Sequence, residues 1–172
     1  VLELNGKPQR WLLKDPSHIG HLPEILHTYP NAKFIHIHRD PIESVGSFCS
    51  LTKNIRSAFS KKVSTKDIGA TVIDFWMHNL NKGIEYRKNI SSHNIVDISY
   101  QDFIKSPLDH IKNSYTHLGF DMTTKTENDI QEYISQDRNR SLSSHNYSLN
   151  EFGLTEKKVK DQFRDYMLNF DF

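Results

Sequence analysis

The sequence predicts an α/β layered domain with a parallel sheet and a helical C-terminal region. Three observations carry that expectation. Short apolar runs with strand chemistry occur at 10–14, 33–38 and 94–100, helical periodicities separate them, and capping or turn residues stand at the junctions. Strand-helix-strand order requires crossover connections, and helical crossovers make the strands parallel.

The first run is Arg10-Trp11-Leu12-Leu13-Lys14. Asp15-Pro16-Ser17 then offers capping chemistry, and Ile19, Leu22, Ile25 and Leu26 recur at helical spacing up to Tyr29-Pro30. The second run leads into Asp40, a cap, with Pro41 at the first helical position, where its missing N–H and fixed φ cost nothing. Ile42, Val45, Phe48 and Cys49 give that helix its apolar face. Residues 52–67, with Lys53, Arg56, Lys61, Lys62 and Lys66, read first as a solvated flexible loop, with attraction of an anionic ligand as the lesser reading. A long helix is predicted over 68–88, with Val72, Ile73, Phe75, Trp76, Leu80 and Ile84 as its buried stripe. It returns the chain to the third run. Helices are predicted near 107–118, 126–136 and 155–168, with a polar loop over 137–150. Nothing repeats and no linker divides the chain, so 1–172 reads as a single domain.

Composition restricts the function classes. The formal net charge is +1, from 22 Lys plus Arg against 21 Asp plus Glu, so no global field draws the chain to nucleic acid or an anionic membrane. Any anion site must be local. No apolar run reaches the ~18 residues of a spanning helix, so no membrane partner is expected in this portion, and a cytoplasmic location is favoured. The single cysteine, Cys49, excludes an internal disulfide and a cysteine zinc cluster, and without an activating motif it reads as a small packed hydrophobe.

Ligands of open parallel sheets sit beyond the carboxyl ends of the strands, so residues just after each strand matter most. These are Lys14, Asp15 and His18 after the first, and His38, Arg39 and Asp40 after the second. A helix starting at Pro41 directs free N–H groups outward, and Arg39 adds a fork of donors, an arrangement that favours phosphate. Ser47, eight residues on, can add a hydroxyl. The competing reading is an Arg39 bridged to Asp40 or Glu43. Of the ten histidines, His36 and His38 alternate onto one strand face, and His18 and His21 share a helix face. Neither pair has a zinc spacing, and no metal is expected. A kinase catalytic loop at His38-Arg39-Asp40 is excluded, because Val45 stands where that loop needs Asn.

Several ordered segments together resemble the bacterial-type sulfotransferase family. They are Trp11-Leu-Leu-Lys-Asp-Pro-Ser-His18, residues 26–30 and 32–37, His38-Arg-Asp-Pro41 with Ser44 and Ser47, Tyr100-Gln-Asp-Phe103, and His145-Asn-Tyr-Ser-Leu-Asn-Glu-Phe-Gly153. The resemblance implies a three-layer P-loop-like domain and 3′-phosphoadenylyl sulfate (PAPS) as donor, with Arg39 and Ser47 on its 3′-phosphate and no metal. It implies transfer of a sulfuryl group to a hydroxyl or amine of a small-molecule or saccharide acceptor. Lys14 is then expected beside the sulfuryl or bridging oxygen, and His18 as the base that deprotonates the acceptor. The animal cytosolic members place their base two residues after the lysine, where this sequence has Pro16. Tyr100 is expected at the nucleotide, whereas Trp76 fits the core of its helix better. His145 and Tyr147 lie in a loop, with Arg138, Arg140 and Ser144, that resembles the family's closing loop over the 3′-phosphate but lacks its glycine. The family's 5′-phosphosulfate loop, an Arg/Lys-Ser-Gly-Thr-Thr type segment, does not occur in these residues, and the expectation is that it precedes Val1 and that this portion alone is inactive. The alternatives are a catalytically incomplete nucleotide-binding domain, or another P-loop-like transferase such as a small-molecule kinase.

Overall fold

The computed structural model describes residues 11–137 and 148–170. Two parallel strands, β1 (Phe34–His38) and β2 (Ile95–Ser99), pair in register from Phe34 opposite Ile95 to His38 opposite Ser99. The crossover between them consists of two long helices, α2 (Pro41–Phe59) and α3 (Thr65–Arg87). A 3-10 turn (Pro16–His21) and α1 (Leu22–Thr28) precede β1. After β2 come α4 (Tyr100–Lys105), α5 (Pro107–His117), α6 (Thr124–Asp137), a 3-10 turn (Leu149–Phe152), α7 (Glu156–Gln162) and α8 (Arg164–Asn169).

The caps explain the boundaries. Asp40 accepts the Ile42 amide at 2.8 Å with Pro41 at the first helical position, as the sequence predicts for α2. Ser64 caps α3, Ser99 caps α4 and Thr155 caps α7 in the same way. Asp15 accepts both the amide and the hydroxyl of Ser17, which draws its carboxyl below the ordinary range.

Three expectations are corrected. Residues 11–14 form no strand: they lie in irregular chain, with Leu12 91% and Leu13 57% exposed. An extended apolar run becomes a strand only where a ladder takes up its backbone groups, and no strand among the described residues runs beside it. Residues 52–67 are mostly helical, because α2 continues to Phe59 and α3 starts at Thr65, leaving 60–64 between them. The 155–168 helix is broken into α7 and α8 at Phe163, whose side chain is buried in the core.

Most of the apolar core lies between the helices. Val45 and Cys49 of α2, Ile68, Val72 and Ile73 of α3, and Phe152, Leu154, Val159 and Phe163 pack together. Trp76 joins this core edge-on to Phe48, with ring centroids 5.2 Å apart, as its helical stripe implies. Cys49 is buried, and burial pushes its thiol up to about 11, the behaviour of a packed hydrophobe. The sheet has helices on both sides, with α5 beside β2 and α3 and α8 over the face that carries the histidines. Ile35 and Ile37 of β1 stay half-exposed.

Gly69 marks the tightest approach of α3 to the chain before α7. A Cβ there would overlap the Phe152 carbonyl oxygen, a backbone atom that cannot step aside. Gly69→Ala is therefore expected to destabilise the fold by about 1–3 kcal/mol, seen as a lower midpoint in thermal or urea unfolding. An unchanged midpoint would contradict this packing.

Candidate functional site

The parallel register places the carboxyl ends of β1 and β2 side by side, and the residues that follow meet there. Arg39, between the last residue of β1 and the cap of α2, lies over the Tyr100 ring at 4.7 Å, a cation–π contact with the residue that follows β2. Its Nε donates to Glu43 Oε2 at 3.0 Å, with both side chains about two-fifths exposed. The bridge to Glu43 that sequence allowed is thus present. Its position is informative, because Glu43 and Ser47 lie four residues apart on one side of α2, and Arg39 precedes the cap of that helix. Glu43 holds its carboxylate beside the guanidinium at the start of a 19-residue helix. A guanidinium fork, a hydroxyl and a helix N-terminus form a donor set that fits a phosphate, and a carboxylate rests in the same fork.

The other sequence candidates divide. Lys14 is exposed in irregular chain, and His18 is half-buried in the 3-10 turn. That turn is pressed onto α3 where Gly20 and Gly83 leave no room for a Cβ against Asn79 and Ile19. Both cations act on Asp15, and no hydrogen bond or ion pair among the described residues joins either one to Arg39, Ser47 or Tyr100. His145 and Tyr147, with Arg138, Arg140 and Ser144, lie outside the described residues. Of the basic residues over 52–67, Lys53 is held by Glu151 at 2.5 Å, while Arg56, Lys61, Lys62 and Lys66 are exposed.

Directly behind Arg39 lies a polar cluster that sequence reasoning did not assemble. His38 is 3% exposed; its Nε2 is 2.7 Å from Asp97 Oδ1 and its Nδ1 2.9 Å from the Tyr166 hydroxyl. Nε2 faces a carboxylate, which only accepts, so the neutral ring carries its proton there, and Nδ1 accepts the Tyr166 O–H. The Tyr166 hydroxyl thus anchors the ring of His38, the residue directly before Arg39. Burial first, then the nearby Asp97 charge, raises the Tyr166 pKa well above the usual phenol value, so the hydroxyl remains a donor. Arg87 grips Asp97 with both terminal nitrogens and donates to His36 Nδ1 at 2.9 Å. Phe170 stacks on His38 at 3.9 Å and lies beneath Arg87 at 4.9 Å.

Burial pushes the Asp97 carboxyl up, but hydrogen bonds from His38 and Arg87 outweigh it and hold the carboxyl well below the usual range. His36, His38 and Asp97 also have the spacing of metal ligands, with donor atoms within 4.8 Å of one another. Arg87 already supplies the positive charge there and occupies the lone pairs of His36 and Asp97 that a metal would need. The alternation of His36 and His38 was legible in sequence; their union with Asp97, Arg87 and Tyr166 was not.

Fold and site together define an α/β domain with hydrogen-bond donors at the carboxyl ends of its parallel strands. The chain belongs to the sulfotransferase family, whose family model matches residues 1–124. It is 27% identical over 145 residues to the omega-hydroxy-beta-dihydromenaquinone-9 sulfotransferase Stf3 of Mycobacterium bovis and of Mycobacterium tuberculosis, covering 84% of this chain and 36% of each relative. Its fold is similar to the crystal structure of sulfotransferase STF9 from Mycobacterium avium, with a TM-score of 0.82 and 25% identity over 94% of this chain and 42% of that one. It is also similar to sulfotransferase STF1 from M. tuberculosis H37Rv, with a TM-score of 0.76 and 31% identity over 91% and 40% of the two chains. The chain thus spans about two-fifths of the length of the relatives it matches. No helix among the described residues is long and apolar enough to cross a membrane.

The histidine cluster makes folding pH-dependent. Burial, and then the neighbouring His38 and Arg87, lower the His36 pKa to about 3. Below pH about 6.5 the unfolded chain protonates His36 and the folded chain does not, so this contribution is complete above that pH and is lost as pH falls toward about 3. Asp97 adds a further loss once pH drops below the ordinary carboxylate range. His36→Asn keeps an acceptor for Arg87 but does not titrate, so its unfolding midpoint should vary less than that of the parent between pH 6.5 and 4. Parallel pH profiles for the two proteins would rule this out.

Proposed function

We propose that the protein is a sulfotransferase that moves a sulfuryl group from PAPS to a hydroxyl or amine of a small-molecule or saccharide acceptor, with Arg39 and Ser47 holding the 3′-phosphate of the donor. The observation that carries this reading is the Arg39 guanidinium, seated over Tyr100 where β1 and β2 end and bonded to Glu43 in the first turn of α2. Family membership supports the donor, and the donor set fits its phosphate.

When bound, the nucleotide supplies the sulfuryl group itself. The protein's share in such a transfer is to position the reactants in line and to stabilise charge on the oxygens around the sulfur. Arg39 offers a two-point grip to a phosphate, Ser47 a hydroxyl, and Tyr100 a flat face that holds the guanidinium in its plane. Lys14 is assigned to charge stabilisation at the sulfuryl or bridging oxygen and His18 to proton removal from the acceptor, because both lie within the segment 11–18 that resembles the family. Glu43 takes the phosphate's place beside Arg39 when the nucleotide is absent, and must give up the guanidinium for the phosphate to bind.

Three measurements on the full-length protein test this. Arg39→Ala should weaken 3′,5′-ADP binding by roughly 2 to 4 kcal/mol in calorimetric titration while leaving 5′-AMP almost unaffected; equal losses for both would contradict the assignment. Glu43→Gln removes a competing surface ion pair and should tighten 3′,5′-ADP binding by roughly two- to fivefold; weaker binding would mean that Glu43 orients Arg39 instead of competing for it. Lys14→Ala should lower turnover by about tenfold or more, and unchanged turnover would remove Lys14 from the chemistry.

A further inference from the structure

Nucleotide recognition at Arg39 depends on a residue far along the chain. We propose that Tyr166 of α8 is a positioning residue for the 3′-phosphate grip: its hydroxyl, bonded to His38 Nδ1 at 2.9 Å, fixes His38 and so holds the next residue, Arg39, at the mouth of β1. The inference rests on the assignment of Arg39 to the 3′-phosphate.

Arg39 is the single residue between the last residue of β1 and the cap of α2, and its guanidinium is about two-fifths exposed. Among the described residues its side chain is tethered by contacts to Glu43 and Tyr100. Such contacts are individually weak, so the direction from which the guanidinium reaches out depends on how firmly its backbone is held. The firm hold comes from below. The Tyr166 hydroxyl gives its proton to His38, the residue before Arg39, and His38 passes the order on to Asp97 through Nε2–H. Asp97 is fixed in turn by the two-pronged grip of Arg87 from the end of α3. Each polar atom in this series has a partner, and Phe170 lies flat against His38 to keep the ring in place. A satisfied buried network of this kind defines one geometry, and removing a single member leaves another unpaired. The C-terminal helix thus reaches the phosphate site through one hydroxyl, with α8 anchored nearby by the buried Phe163 of the core.

The test is Tyr166→Phe in the full-length protein, which keeps the ring and its packing and deletes only the hydroxyl. Affinities for 3′,5′-ADP and 5′-AMP are measured by calorimetry for the parent, Tyr166→Phe, Arg39→Ala and the double variant. The expected result is a loss of roughly five- to tenfold for 3′,5′-ADP with 5′-AMP unchanged, and no further loss when Tyr166→Phe is added to Arg39→Ala. A merely structural role would weaken both nucleotides alike, or would add its full effect in the Arg39→Ala background, and either outcome overturns the proposal. So does an unchanged 3′,5′-ADP affinity in Tyr166→Phe while Arg39→Ala loses it. If Arg39→Ala itself leaves the preference for 3′,5′-ADP intact, the phosphate assignment falls and the positioning role with it. A second pair of variants serves if Tyr166→Phe does not fold. His38→Asn retains an acceptor near the Nδ1 position for Tyr166, and His38→Gln retains only the reach toward Asp97. His38→Asn should preserve the nucleotide preference better than His38→Gln, and the reverse order refutes the proposal.

Discussion

The parallel pairing of β1 with β2 is the constraint on which the rest of the structure depends. Its register places His38 beside Ser99, so the chain leaves both strands at the same level and Arg39 meets Tyr100 as a direct result. The same register sets His36 opposite Asp97, so the two histidines of β1 and the carboxylate of β2 share one face. A shift of one residue would turn that face over, expose His38 and break the network beneath Arg39. The Arg39–Tyr100 contact and the polar cluster are therefore two consequences of one hydrogen-bonded ladder.

The cluster shows how charge is accommodated behind an anion site. His36, Asp97 and Arg87 would each be costly to bury alone. Together they leave no buried polar side-chain atom among the described residues without a partner. His36 stays neutral chiefly because it is buried, with His38 and Arg87 adding to the effect, and Asp97 stays ionised because His38 and Arg87 both donate to it. One guanidinium thus bonds to two neighbours, a neutral ring that accepts and a carboxylate. Arg39, one residue beyond the cluster, remains available to a ligand because Arg87 and not Arg39 balances Asp97.

The core and the site are held by different means. The core joins α2, α3, α7 and the chain around Phe152 through apolar contact and close approach at Gly69, and needs little of the sheet. The site stands on the two strands and on the start of α2. Helix α2 connects them, since its first turns line the phosphate donors and its middle carries Val45 and Cys49 into the core. Ile35, Ile37, Leu12 and Leu13 remain exposed beside this frame, so the described residues do not themselves cover that edge of the sheet.

Much of this was legible in the sequence because it is local. Asp40 and Pro41 announce the start of α2, the apolar period of 68–88 announces α3, and the runs at 33–38 and 94–100 announce the strands, since caps, periodicity and alternation act over a few residues. Arg39 and Ser47 stood out because their spacing and the motifs around them matched a family. What tertiary structure alone decided are the features in which distant residues meet. Residues 11–14 read as a strand by composition, but a strand exists only with a partner, and none of the described strands lies beside them. Tyr166 falls in the stretch 155–168 that periodicity reads as one helix, and the break at Phe163 follows from packing, not from any local signal. His38 and Tyr166 are 128 residues apart, and no local propensity encodes a hydrogen bond between them; only the assembled sheet, with α3 and α8 laid across it, brings the two together.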